Sequence, residues 1–556
     1  MKIRLVSVNS QFSHTSLAVR YLKAYNQKKG IQTEFREYTI NHNLSQIVAD
    51  LYSEKADVYG FSTYIFNVSE VRAVTEDLKK LLPGSVIFCG GPEVSYDYFR
   101  FLDENRQVDF VLRGEGEETV AAFLECVLRT GTQQLKKFLA AEELPGVSFL
   151  YEGKRFDGPD RAPLCDLDAI PFPYDETVEE IKEKILYYES ARGCPFRCSY
   201  CMSSLEKTVR SFSRERIFSD LHFFLEHRVR LVKFVDRTFN YDKKRALEIL
   251  KFISNNDNGY TSFHFEIAVW LLDAETLDFL DTVREGLFRF EIGIQSTNPQ
   301  TLAAINRKQD VLALRDTFTR LSLSSVHVHT DLIAGLPYED FQRFGRSFND
   351  AMSLRPDVLQ LGFLKILKGT EISGQLEHGQ VFSAQPPYEI LYNHYIRYDE
   401  LVFLKKIEQV HEWYYNSGLC RHTLGFCAEK LNGDYFGFYS GFVSFLLQED
   451  FFRVSHKTPE LFDILYRYIG EQLKIPAFFA EYLAFDLYSF AKVCNPPVWL
   501  ANRPEKELWS HCLSDEQFLL SRLPAGALEL LGNDCLLYTS RKIIPTCSDM
   551  KKAMVA

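Results

Sequence analysis

Over residues 1–125, short apolar runs alternate with stretches whose apolar positions recur every three to four residues. "KIRLVSVN" reads as a strand, and "SLAVRYLKAYNQKKG" as an amphipathic helix that stops at Gly30. Further strands fall in "QTEFREYTI", "ADVYGFSTY", "SVIFCGGPE" and at the start of "VDFVLRGEGEETVAAFLECVL". Helical periods lie between them, in "NLSQIVADLYSEK" and "VSEVRAVTEDLKKLLPG". Such alternation predicts a doubly wound parallel sheet, whose ligands sit at the carboxyl ends of the strands. Residues 126–182 are less regular and predict a β-hairpin, then a Pro-rich linker around Pro163, Pro171 and Pro173. Between 183 and 375, strands in "KILYYES", "RLVKFVDRTF", "SFHFEIAVW", "LFRFEIGIQS", "VHVHTDLIAGLP" and "VLQLGFLKIL" alternate with helices. Six βα units fit a (β/α)6 partial barrel, a full barrel or an open sheet. From about residue 385, "YEILYNHYIRYDELVFLKKIEQVHEWYYNSG", "FGFYSGFVSFLLQEDFF" and "PELFDILYRYIGEQLK" predict a mostly helical C-terminal domain, with "SRKIIPTCSDMKKAMVA" as a frayed tail. The expected boundaries are 1–128, 129–182, 183–380 and 381–556.

A chain of 556 residues exceeds one ordinary core, which agrees with several domains. The 46 Phe and 29 Tyr imply large, aromatic-lined interiors. A net charge of −11 argues against bulk nucleic-acid binding, which relies on a basic face. No apolar run reaches the ~20 residues of a membrane-spanning helix. The first residues read as a strand and not as a signal peptide, so a cytoplasmic address is expected.

Twelve cysteines are present. Cys89, Cys126, Cys165, Cys420, Cys427, Cys494, Cys512, Cys535 and Cys547 are scattered and read as reduced, buried small hydrophobes. Cys194, Cys198 and Cys201 fall within eight residues, in "CPFRCSYC". Three thiolates on one loop can grip three corners of a four-iron cluster and leave one iron open, and an open position marks a catalytic metal site. Arg197 would offset the cluster's negative charge. The residues alone leave other readings: a Cys198–Cys201 redox pair, a zinc site completed by His222 or His227, or no metal.

C-x3-C-x-aromatic-C after the first strand of a βα series resembles the radical S-adenosylmethionine enzymes. The resemblance implies a [4Fe-4S] cluster on Cys194, Cys198 and Cys201, with S-adenosylmethionine on the open iron beside Tyr200. It implies one-electron cleavage to a 5′-deoxyadenosyl radical. It places Asp236 of "FVDRTFN" at the cofactor's amino group, with Arg237 where many relatives have a second acid. Glu291, Gln295 and Ser296 of "EIGIQS" fall near the ribose. Arg307 falls near the carboxylate or a substrate anion. Ile333, Gly335 and Glu339 of "DLIAGLPYE" fall on the adenine side, with Asp331 where a glycine is common. His327 and His329 point to one face of their strand, either as ordinary core or surface residues or near substrate.

The first domain lacks the Gly-x-Gly-x-x-Gly and phosphate-gripping glycine motifs. Small residues end its third and fourth strands instead. It resembles the cobalamin-binding domain that precedes many radical S-adenosylmethionine cores. Ser62 matches the position that bonds the cobalamin nucleotide tail, Gly90 and Gly91 match the Gly-Gly that makes room for it, and Tyr64 stands where some members have Leu. Asn9 lies in the loop where relatives carry an axial-histidine motif; that motif is missing, and His14 reads as a loop histidine. Glu115 in "RGEGEET" matches the fifth-strand loop. The resemblance covers about residues 1–375. It implies a cobalamin-dependent methyltransferase for an unactivated carbon, served by a reductant such as flavodoxin or ferredoxin. A small molecule, peptide or RNA would be the substrate. The alternatives are radical cyclisation, rearrangement or sulfur insertion, and a non-catalytic cobalamin or iron–sulfur sensor.

Overall fold

In the computed structural model, which describes residues 1–206, 208–309, 315–490 and 497–501, the first sheet has seven strands. β1 (Ile3–Asn9), β2 (Glu34–Thr39), β3 (Val58–Ser62), β4 (Val86–Gly90) and β5 (Phe110–Leu112) are parallel, in the order β2-β1-β3-β4-β5. Apolar clusters cover both faces, as expected for strands that read as continuous apolar runs. The hairpin expected in the linker, β6 (Val147–Tyr151) and β7 (Lys154–Asp157), instead extends this sheet antiparallel from β5. Phe149 lies opposite Phe110 with ring centroids 5.2 Å apart, so the hairpin covers a strand edge that would otherwise be unpaired.

The second sheet begins with β8 (Ile185–Tyr188). A short antiparallel pair, β9 (Ala191–Arg192) and β10 (Arg210–Ser211), follows and frames the cysteine loop. β11 (Leu231–Phe234), β12 (Ser262–Ile267), β13 (Phe288–Gln295), β14 (His327–Ala334) and β15 (Val358–Phe363) then add in chain order, all parallel. This is the (β/α)6 partial barrel. Each strand alternates: Phe263, Phe265 and Ile267 are buried under the outer helices, while Ser262, His264 and Glu266 face inward. Asp242, Asp273, Asn298 and Asp340 cap the helices that follow successive strands, each accepting a bond from a first-turn backbone N–H.

β8 and β15 do not pair, so the barrel is open on one side. The loop after β1 fills part of that edge. Ile185 N donates to Ser13 O at 2.8 Å, and Thr15 Oγ1 donates to Ile185 O at 2.9 Å. His14 lies parallel to Ile185, as one more strand rung contributed by the first domain.

Residues near 385–392, expected to be helical, form the hairpin of β16 (Val381–Phe382) and β17 (Ile390–Tyr392). Ile390 N donates to Leu364 O at 2.8 Å, so the segment finds a backbone partner beyond β15 that overrides its helical spacing. Helices Tyr398–His411, Arg421–Lys430, Tyr435–Gln448, Thr458–Gln472 and Phe479–Phe490 follow. Their apolar faces join the barrel's in one continuous core. Of the scattered cysteines, Cys89, Cys420 and Cys427 are buried, Cys126 is half-buried, and Cys165 is exposed in the linker, where no core reaches it. Cys494, Cys512, Cys535, Cys547 and the expected tail lie outside the described residues. Among the described residues, no helix is long and apolar enough to cross a membrane.

Candidate active site at the barrel mouth

The cysteine loop leaves β9 and crosses the carboxyl end of the barrel. It is pinned from two sides: Ser199 N donates to Ile305 O at 3.0 Å, and Ile372 N donates to Ser199 O at 2.9 Å. Asn306 Nδ2 donates to the Arg197 carbonyl at 2.8 Å. Cys198 is buried, while Cys194 and Cys201 are half-buried. Burial pushes the Cys198 thiol up; Arg307 opposes this, and Cys194 and Cys201 lie near enough to reinforce it. Arg197 is exposed, so the cation that reaches the cluster position is Arg307, whose Nη1 lies 3.7 Å from Cys198 Sγ and 3.5 Å from the Tyr200 hydroxyl. Arg307 also donates to the Gly293 carbonyl and sits over Trp270.

Among the described residues, no three His, Cys, Asp or Glu side chains gather closely enough to share one metal ion. His227, a possible fourth zinc ligand, is bound to Glu179 at 2.9 Å. A set of three thiols with a guanidinium on one sulfur fits a polynuclear cluster better than a single closed zinc ion.

Below the loop, the strand register builds a polar wall. Glu266 pairs with Glu291, Glu291 with His329, and Gly293 with Asp331. Glu291 accepts from His264 at 2.9 Å and Lys233 at 3.1 Å. Burial alone would raise its carboxyl; these two partners outweigh burial and hold it at about 2. Gln295, with φ of 66°, donates from Nε2 to Asp331 at 2.8 Å. Burial lifts Asp331 to about 6 against that bond. Gln295 Oε1, Asp331 Oδ1, Arg307 Nε and His329 Nε2 are buried and have no partner, so the wall offers polar atoms to a polar ligand such as S-adenosylmethionine.

The structure thus gathers Cys194, Cys198, Cys201, Tyr200, Gln295 and Arg307 around the mouth, and Ile333 faces inward on β14. Other expected residues are engaged elsewhere. Asp236 is 1% exposed and accepts from Ser190 N at 2.7 Å and Ser190 Oγ at 2.5 Å. Ser296 donates to Glu339 at 2.7 Å, outside the lumen between β13 and helix Phe341–Ser353. Gly335 has φ of 88°, and a Cβ there would lie 2.6 Å from Ile390. Glu291 sits with His264 and Lys233 in the wall. Sequence reasoning missed Lys233, His264 and Glu266. The signal was present in "SFHFEI", where three polar residues at period two share a face opposite buried aromatics.

The first domain's carboxyl edge meets this mouth. Tyr64 stacks on Phe66 at 5.3 Å; burial raises its hydroxyl while the barrel's Arg237 opposes the shift. Arg192 pairs with Glu189 at 2.9 Å, Glu115 at 3.4 Å and Glu117, joining the domains. Glu115 also pairs with Arg210 and accepts from Leu164 N at 2.9 Å, so it serves the junction. Asn9 is buried and donates to His14 O at 3.1 Å. His14 Nδ1 lies 2.8 Å from the Tyr187 hydroxyl, which gives the loop histidine a partner on the barrel. Ser62 is half-buried, and its hydroxyl makes only a 3.5 Å contact with Val6 O. A Cβ at Gly91, whose φ is 112°, would lie 2.6 Å from Thr63 O; one at Gly90 would lie 3.2 Å from Leu112 O. Glycine at both positions lets the ends of β3, β4 and β5 approach backbone to backbone, and the Ser62 hydroxyl, with its single long contact, is a polar group at that edge.

Three families match successive parts of the chain: "B12 binding domain" over 3–124, "Radical SAM superfamily" over 188–351, and "Protein of unknown function (DUF4080)" over 376–534. The cobalamin-dependent radical SAM methyltransferase TokK of Streptomyces tokunonensis is 29% identical over 313 residues, covering 53% of this chain and 44% of that one. The 2-(S-pantetheinyl)-carbapenam-3-carboxylate methyltransferase of Streptantibioticus cattleyicolor is 28% identical over 325 residues, with the same coverage. The chain therefore spans under half the length of these two relatives. The solved structure of OxsB, a cobalamin-dependent S-adenosylmethionine radical enzyme with aqua-cobalamin and S-adenosylmethionine bound, shares the fold: TM-score 0.61 at 14% identity, covering 87% of this chain and 83% of that one.

Proposed function

Because this chain belongs to the radical S-adenosylmethionine enzymes that carry a cobalamin-binding domain, we propose that it transfers a methyl group to an unactivated carbon. Cys194, Cys198 and Cys201 would hold the [4Fe-4S] cluster. When bound, the cluster supplies the electron that splits S-adenosylmethionine, and cobalamin carries the methyl group. Arg307 would steady the cluster side through Cys198 and Tyr200. Gln295 and Asp331 would offer acceptors to the hydroxyl groups of S-adenosylmethionine. Ser62, Gly90 and Gly91 would receive the cobalamin tail, and Tyr64 would close the gap between the domains against water. A reductant of the flavodoxin or ferredoxin type and a cytoplasmic setting belong to the same reading.

The observation that carries it is the three-thiol loop at the barrel mouth, with Arg307 on Cys198 and the first domain's edge within electrostatic reach. The test is anaerobic reconstitution with iron, sulfide and cobalamin. The wild-type chain should form 5′-deoxyadenosine and S-adenosylhomocysteine after reduction, and Cys198→Ala should form no 5′-deoxyadenosine. Equal cleavage by Cys198→Ala, or none by the wild type, rules the reading out.

A further inference from the structure

One stretch of chain, from the end of β15 through the β16–β17 hairpin, bonds to three separate parts of the site. Ile372 is fully buried, and its N donates to the Ser199 carbonyl inside the cysteine loop at 2.9 Å. The hydroxyl of buried Tyr388 donates to Glu93 of the first domain, and Lys368 Nζ bonds the same carboxyl oxygen at 2.7 Å. Buried Asn393 donates from Nδ2 to the Gly335 carbonyl, just beyond β14, at 2.8 Å. Each partner adjoins a proposed cofactor contact. Ser199 follows Cys198, Glu93 lies in the short helix Pro92–Ser95 that opens directly after Gly91, and Gly335 is itself such a contact.

The hairpin is held so that these bonds have a fixed geometry. Asn393 Oδ1 accepts from Tyr395 N at 2.9 Å and Ile396 N at 3.1 Å, which sets the direction of its amide. Ile390 N donates to Leu364 O at 2.8 Å and Ile366 N to Tyr388 O at 3.0 Å, so Tyr388 is tied to the segment after β15. Ile390 packs on Gly335, where a Cβ would lie 2.6 Å from its side chain. Glu93 is buried, and a buried carboxylate depends on its donors. Arg192 also joins the domains, but through Glu115 and Glu117, after β5, and not through the segment that follows Gly91. We propose that Tyr388 and Asn393 are positioning residues that couple the two cofactor sites, so that a ligand at one tightens binding at the other. The proposal rests on the function above, which puts cobalamin beside Gly91 and S-adenosylmethionine beside Gly335. A ligand at either place fixes the backbone it touches, and the hairpin bonded to both is fixed with it. The second ligand then meets a segment already ordered and loses less entropy on binding. Linkage makes the effect reciprocal.

The test is titration of the full chain, reconstituted anaerobically with iron and sulfide. Hydroxocobalamin binding is read by absorbance with and without saturating S-adenosylhomocysteine, and S-adenosylhomocysteine binding by calorimetry with and without hydroxocobalamin. In the wild type each ligand should tighten the other by the same factor, about fivefold or more. Tyr388→Phe leaves Lys368 on Glu93, and Asn393→Asp keeps the acceptor for Tyr395 and Ile396 while losing the donor to Gly335. In each variant the factor should fall below about twofold, while the affinity for either ligand alone changes by less than about threefold. Melting temperatures should match the wild type. Phe382→Ser, at an exposed position of β16, should keep the full factor. The proposal is overturned if the wild type shows no mutual tightening, or if either variant keeps the wild-type factor. It is also overturned if a variant loses both affinities together with melting temperature, which would make its role structural. Independent binding of the two ligands overturns this proposal alone, whereas a wild type that binds no hydroxocobalamin overturns the function above as well.

Discussion

Glu339 is fully buried, and only one of its carboxyl oxygens is bonded. Ser296 and Ser347 both donate to Oε1 at 2.7 Å, while Oε2 has no partner. Burial raises this carboxyl from 4.5 to about 7 despite the two serine bonds. At about 1.4 kcal/mol per tenfold change in proton affinity, ionising Glu339 costs the native state about 3 kcal/mol relative to the unfolded chain. The folded state binds this proton more tightly. The stability contribution is therefore complete below pH 4.5 and is lost as pH rises through about 7. Glu339→Gln removes the titration at nearly constant shape. For a cooperative unit of about 300 residues, 3 kcal/mol corresponds to roughly 5 °C in melting temperature. The melting temperature of Glu339→Gln minus that of wild type should therefore climb by roughly 5 °C between pH 5 and pH 8. Any fixed cost of the glutamine shifts the whole difference without changing its slope. Parallel melting curves across that range would refute the claim that this carboxyl is neutral when folded.

Three further outcomes follow from the geometry. Arg192→Met leaves Glu115, Glu117 and Glu189 around the domain junction without their shared cation; a loss of about 3–5 kcal/mol is expected, read as early thermal unfolding. Gly91→Ala forces a Cβ against Thr63 O at a φ of 112°; it should cost about 1–3 kcal/mol and, by displacing the backbone next to Ser62, weaken cobalamin retention on gel filtration, whereas normal retention would contradict the proposed placing of the cobalamin tail there. Tyr187→Phe removes the hydroxyl next to His14; it should cost about 1 kcal/mol and speed amide exchange at Ile185, which pairs with the same loop.

Much of the fold was legible because its signals are local. Periodicity placed the strands of both sheets, and the spacing of Cys194, Cys198 and Cys201 marked the loop that the structure puts at the barrel mouth. What failed to show depends on partners distant in sequence. Glu115 sits in a glycine-flanked loop like a ligand contact, but its partner Arg210 lies 95 residues away. Asp236 ends a strand as a cofactor contact would, yet Ser190 takes both oxygens. Ile390–Tyr392 has helical spacing but finds a backbone partner in the hairpin. Glu266 was readable in principle. Its strand alternates, but no motif contains it.

The loop that lays Ser13, His14 and Thr15 along β8 changes what can be separated. A chain cut after the first sheet would strip that rung from the outer edge of β8 and leave the backbone groups of Ile185 open to other copies. The isolated barrel should then self-associate on expression more readily than the intact chain. The first domain thus supplies a rung of the barrel's own edge, and the two halves are expected to travel through gene rearrangements together.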